Sequence, residues 1–154
     1  MLSEAERTEI ESAFKEYKHK QAVCVEALKI LQHHRGWISD EDIKDIAKLL
    51  GMSSDELDGV ATFYSLIFRR QVGRHVILVC DSVSCWITGY DRIIAHIKTK
   101  LAIDLGGTSA DGRFTLLPIA CIGACDQAPA MIVDSNVYGD LDEDKIDEIL
   151  SRYK

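Results

Sequence analysis

Much is missing from this 154-residue chain, and each absence narrows its function. Its longest uninterrupted apolar stretches, such as Val76 to Cys80, are a handful of residues, whereas a membrane-spanning helix needs roughly 20. No segment is expected to cross a bilayer by itself. Positive charge is in deficit: 18 Lys plus Arg against 25 Asp plus Glu leave a net charge of −7, opposite in sign to a nucleic-acid footprint. DNA and RNA are therefore not expected as partners. The first residues are acidic and polar where a secretory signal would carry positive charge and then an apolar run, which points to the cytoplasm. Glycine-rich phosphate fingerprints are absent, so Gly106-Gly107-Thr108 and Asp111-Gly112 read as turns. The Cys-x-x-Cys dithiol of thioredoxin-type redox proteins is absent too, as are internal repeats and low-complexity segments.

What is present suffices for a folded core, with 47% hydrophobic residues. From Ser3 to about Phe68 apolar residues recur at helical steps. Ile10, Phe14 and Tyr17 mark a first helix, and Cys24, Leu28 and Leu31 a second. A third is expected to open at Ser39 with Asp42 answering it and to close at Gly51; a fourth begins at Ser53, with Glu56 three residues on, and carries Leu57, Val60, Ala61 and Tyr64 on one face.

After Gly73 the period changes. His75 to Cys80 is a continuous apolar run, the pattern of a buried strand. A loop is expected around Asp81 to Cys85, then a helix from about Gly89 to Leu101, a strand over Arg113 to Ala120, a third at Ala130 to Val133, a fourth at Asn136 to Tyr138, and a last helix over Leu141 to Tyr153. Pro118 argues against a central position for the second strand, because proline gives the ladder no donor. The expected fold class is α+β, with a four-helix bundle over residues 1–70 and a small α/β domain over 71–154.

In a reducing compartment, clustered cysteines hold metal or do redox chemistry more often than they form disulfides. Four of the five fall into two pairs, Cys80-Asp-Ser-Val-Ser-Cys85 and Cys121-Ile-Gly-Ala-Cys125, each just after an expected strand. Two loops at one sheet edge would bring the four sulfurs together. Four soft thiolates suit either zinc or an iron-sulfur cluster. Zinc pairs are most often tighter, while two irons each taking two thiolates fit the looser gaps, and the small Gly123 and Ala124 leave room for backbone N–H groups to approach sulfide. Cys24 sits on an apolar helical stripe and reads as core. His33 and His34 diverge by about 100° on a helix and read as solvated. Thr62 to Phe68 is too apolar for an exposed helix end, so it serves as core, as partner surface, or as both. Asp81 and Asp126 directly follow ligand candidates and would oppose an added electron, whereas Ser82, Ser84 and the N–H groups of Gly123 and Ala124 would favour one.

Gly59-Val-Ala-Thr-Phe-Tyr64, Cys80 with Cys85, Asp111-Gly-Arg-Phe-Thr-Leu116 and Cys121-x-Gly-x-Cys125-Asp-x-Ala-Pro129 follow one another over nearly the whole length. Together they resemble the 24 kDa-type 2Fe-2S subunit of bacterial respiratory complex I, NADH:quinone oxidoreductase. The resemblance implies a thioredoxin-like C-terminal domain, one 2Fe-2S cluster held by Cys80, Cys85, Cys121 and Cys125, and one-electron transfer with no hydride-transfer site on this chain. It implies FMN and NADH on a neighbouring flavoprotein subunit, contact with the large iron-sulfur subunit, and a peripheral place on the cytoplasmic side of the inner membrane. Thr62 to Phe68 and Trp37 would supply aromatic anchors for the flavoprotein. The same subunit type occurs in NAD-linked hydrogenases and formate dehydrogenases, although the match around Gly89-Tyr90 and Arg113 to Pro118 favours complex I. Leu105 to Ser109 departs from the family's usual Pro-Gly-x-Thr-Thr. The competing class is a non-redox adaptor with a zinc-stabilised domain.

Overall fold

Three of the first four helices open on a serine that closes a reciprocal cap with an acid three residues on. The computed structural model, which describes residues 1–154, divides into two compact units, Met1–Gln71 and Val72–Lys154. In the first unit, α1 (Glu4–Ala13) is capped by Ser3 with Glu6, α3 (Asp40–Leu50) by Ser39 with Asp42, and α4 (Ser54–Phe63) by Ser53 with Glu56. Each pair satisfies two backbone donors that a helix start would otherwise leave unpaired. Between them, α2 (Cys24–Arg35) ends at Gly36 and α3 at Gly51, whose left-handed φ of 69° is cheapest for glycine.

The apolar faces of these helices meet in one core around Ile10, Leu28, Leu31, Ile46, Leu50 and Leu57, all buried. Full burial of such a side chain contributes roughly 1.5–3 kcal/mol. Cys24 packs against this core, as its stripe position requires. Two expectations fail at helix ends. The first helix stops at Ala13 and tightens into a 3-10 turn, Phe14–Glu16, leaving Tyr17 exposed. Likewise α4 stops at Phe63, so Tyr64 is exposed and does not join Leu57 and Ala61 on the buried face. The segment beyond α4 is held by Gln32, whose side-chain amide donates to the Leu66 carbonyl at 2.9 Å and accepts from the Phe68 N–H at 2.6 Å. Arg69 closes the unit through Asp58 (2.8 Å), Asp40 (2.7 Å) and the Ile38 carbonyl.

The second unit is a four-stranded mixed sheet in the order β2-β1-β3-β4 with helices packed on it. Central β1 (His75–Cys80) runs parallel to β2 (Phe114–Ile119) and antiparallel to β3 (Met131–Val133), which forms a hairpin with β4 (Asn136–Tyr138). Its continuous apolar run matches burial on both faces. Pro118 lies on β2 at the sheet edge, where a residue without an N–H is tolerated. The parallel β1–β2 pair demands a crossover, supplied by α5 (Val83–Thr88) and α6 (Tyr90–Leu101), and α7 (Glu143–Arg152) follows the hairpin. Asp134, at the hairpin turn, accepts the Val76 N–H at 3.0 Å and pairs with His75 at 2.8 Å, tying the turn to the start of β1. Where a loop from Asp81 to Cys85 was expected, Val83 already opens α5, so Cys85 is a helical residue. No helix is long and apolar enough to cross a membrane.

Candidate metal centre

Parallel pairing makes the carboxyl ends of β1 and β2 coincide, with Cys80 opposite Ile119 in the register. The first thiol pair therefore begins where β1 ends, and Cys121 follows two residues past the end of β2. Cys80 and Cys85 are buried, and with Ala130 they form a small apolar cluster against which Ile122, Ala124 and Ala128 pack. The loop carrying Cys121 and Cys125 is thus seated directly on the first pair. Cys121 and Cys125 are exposed, with their sulfurs 3.4 Å apart. Two thiolates on one tetrahedral metal, each at about 2.3 Å, would lie roughly 3.8 Å apart, so this pair already stands near ligating distance.

The surroundings prepare the sulfurs unequally. Burial pushes the Cys85 thiol up to about 11, and neighbouring Cys80 adds to the shift. Cys121 moves down, because the Gly123 N–H donates to its sulfur at 3.4 Å and Cys125 donates to it as well. That N–H is aimed by a φ of +83° at Gly123, a conformation that favours glycine. Cys125 moves up because of Cys121, with the Ser84 hydroxyl working the other way. A buried thiol held in its neutral form would lose its proton to solvent only as a cation takes the proton's place on sulfur.

Four thiols in two pairs fit a centre of two metals, each taking two thiolates. Small side chains, Ala124, Ala128 and Ala130, pack beside the buried pair. The chemistry of this donor set fits a 2Fe-2S cluster.

A family model described as "Thioredoxin-like [2Fe-2S] ferredoxin" matches residues 10–154. The chain belongs to that family. It is 48% identical to an NADH-quinone oxidoreductase subunit of Pseudomonas aeruginosa and 50% identical to its counterpart from Escherichia coli, over 99% of this chain and 92% of each relative. Among solved structures it is similar to an NAD+-reducing [NiFe]-hydrogenase, at 26% identity and a TM-score of 0.70, over 81% of this chain and 22% of that one. A 2Fe-2S cofactor, the thioredoxin-like α+β fold and an electron-transfer role in an oxidoreductase complex, that of the corresponding NADH-quinone oxidoreductase subunit, follow from this membership.

The structure pairs Cys80 with Cys85 in a buried cluster and Cys121 with Cys125 at 3.4 Å on the loop packed against it, and leaves Cys24 in the other unit. Asp81 and Asp126 flank the centre and are exposed. Ser84 stands beside Cys125 as a donor. Periodicity missed α5, because Ser82 makes no side-chain cap bond and six residues are too few to show a pattern. It therefore also missed that Val83, Trp86 and Ile87, next to Cys85, form an exposed apolar face. His33 and His34 are exposed, as their spacing implied, although His34 pairs with Glu9 at 2.8 Å.

Proposed function

We propose that this chain carries single electrons at the NADH-oxidising end of respiratory complex I, with its 2Fe-2S cluster held by Cys80, Cys85, Cys121 and Cys125 and the FMN- and NADH-binding flavoprotein subunit docked beside it. The observation that carries this reading is the convergence of two thiol pairs at the carboxyl ends of two parallel strands. When bound, such a cluster stores and passes one electron at a time. The chain's own residues position and insulate it. Cys80 and Cys85, backed by Ala130, keep water from one side, while Cys121 and Cys125 leave the other open. Exposed Val83, Trp86 and Ile87 offer a dry contact next to Cys85, where a partner's redox centre would approach. The large iron-sulfur subunit is the second expected neighbour, and the assembly would sit peripherally on the cytoplasmic side of the inner membrane.

The test is composition and colour. Purified protein should contain about two irons per chain and absorb in the visible, bleaching with dithionite. Replacing any one of the four cysteines by Ala should remove the cluster and destabilise the second unit, because binding at the centre is part of its folding free energy. Cys24→Ala should keep full iron. Equal iron in wild type and Cys85→Ala, or a colourless zinc protein, would end the reading. The same carrier role in an NAD+-reducing hydrogenase is the second reading, favoured by the shared fold. A flavoprotein co-purifying with hydrogenase subunits would select it.

A further inference from the structure

Gly139, just past β4, lies against the loop that carries Cys125. A methyl group at this position would stand 2.4 Å from the Gln127 Cβ and 2.7 Å from the Gln127 carbonyl oxygen, closer than such atoms approach. Gly139 is not among the glycines with positive φ, so its backbone conformation does not demand glycine; its neighbour does. Gln127 ends the 3-10 turn Cys125–Gln127 that Cys125 opens. The next two residues grip the same stretch. The Asp140 N–H donates to the Gln127 carbonyl at 2.6 Å, and the Leu141 N–H donates to the Pro129 carbonyl at 3.1 Å. From the first turn of α7, the Lys145 ammonium donates to the Gly139 carbonyl at 2.7 Å, while its own N–H is capped by Asp142 at 2.8 Å. A continuous line of contacts thus runs from the start of α7 through Gly139 to the Cys125 turn.

We propose that Gly139 is a positioning residue for the cluster: lacking a side chain, it lets residues 139–141 clamp the Cys125 turn and fix the seat of the Cys125 sulfur. This rests on the reading that Cys80, Cys85, Cys121 and Cys125 hold the cluster. Partners behind a ligand set its orientation and tune the metal, so the clamp acts on the centre's electronic structure and midpoint without touching it. It also explains why glycine occupies a position with ordinary backbone geometry. The second loop bears both exposed ligands, and a turn held only at its ends would let them wander.

The test compares Gly139→Ala with Gly107→Ala in the full chain. A methyl at Gly107 would meet the Asp104 carbonyl oxygen at 2.9 Å, a similar conflict in a turn that carries no cysteine. Both variants should lose thermal stability. Only Gly139→Ala should shift the EPR g values of the reduced protein and change its reduction equilibrium at least threefold, roughly 28 mV for a one-electron couple, while holding about two irons per chain. Wild-type g values and midpoint in a loaded Gly139→Ala would overturn the proposal. Should that variant fail to hold a cluster, Lys145→Met decides, since it releases the Gly139 carbonyl without adding atoms there. Its g values should move in the same direction, with Lys145→Gln, which keeps a donor, closer to wild type. Unchanged g values in Lys145→Met would overturn the clamp. Iron retained by Cys125→Ala would instead overturn the ligand assignment beneath it.

Discussion

Arg35 holds Glu6 with two parallel hydrogen bonds, Nε to Oε1 at 2.8 Å and Nη2 to Oε2 at 2.7 Å. The same carboxylate accepts the Ser3 N–H at 2.7 Å, closing the cap of α1. Through Nη1, Arg35 also reaches Asp42, which closes the cap of α3 by accepting the Ser39 N–H at 2.9 Å. A single guanidinium at the end of α2 therefore joins the starts of two other helices. Planar, forked donors suit this task where a lysine would not.

The Arg35 guanidinium holds the Glu6 carboxyl well below its usual 4.5, at about 2. Unfolded chains bind this proton before folded ones do, so the stabilisation is complete above about 4.5 and drains away as pH falls toward about 2. Glu6→Gln should cost on the order of 2–3 kcal/mol near neutral pH and flatten the loss of stability on acidification. Denaturant unfolding of both proteins across this range measures it; parallel pH curves would show that the pair contributes nothing.

Asp81 and Asp126 each follow a cysteine of the proposed ligand set and are exposed. A charge about 7 Å from the centre, screened by water and salt, changes the energy of an added electron by well under 1 kcal/mol. Each Asp→Asn should therefore raise the midpoint by only about 10–20 mV in a potentiometric titration. Unchanged or lowered midpoints in both variants would mean that these carboxylates do not tune the cluster.

Phe63 is 80% exposed and Leu66 50%, while Ile67 between them and Arg69 is buried, so the apolar segment after α4 divides into core and surface. Exposed aromatic anchors of this kind dominate interfaces. Phe63→Ala should leave the fold intact and weaken binding to the flavoprotein subunit roughly tenfold. Calorimetry or co-purification reads this, with Trp86→Ala measured alongside. Loss in Trp86→Ala alone would move the principal contact to α5.

Much of this was legible along the chain because it is local. The caps of Ser39 with Asp42 and Ser53 with Glu56, the glycine that ends α3, the apolar run of β1 and the edge position favoured by Pro118 are each fixed by a few neighbouring residues. The two thiol pairs were visible for the same reason. Tyr17 and Tyr64 were placed wrongly because periodicity does not record where a helix stops, and the short α5 carries too few residues to announce itself.

By itself the sequence determined most of the elements, the two spaced cysteine pairs and the family the chain falls in, since spacing, caps and motifs act over a few residues. Only the tertiary structure decided that Cys80 and Cys85 lie buried while Cys121 and Cys125 stand open, that Arg35 joins Glu6 and Asp42, and that Gly139 presses on Gln127. The contacts of Arg35 span seven residues to Asp42 and 29 to Glu6, and Gly139 meets Gln127 across the β3–β4 hairpin. They exist because parallel pairing of β1 with β2 and the packing of helices bring remote segments within a few ångströms, and nothing in the spacing of either segment encodes that approach.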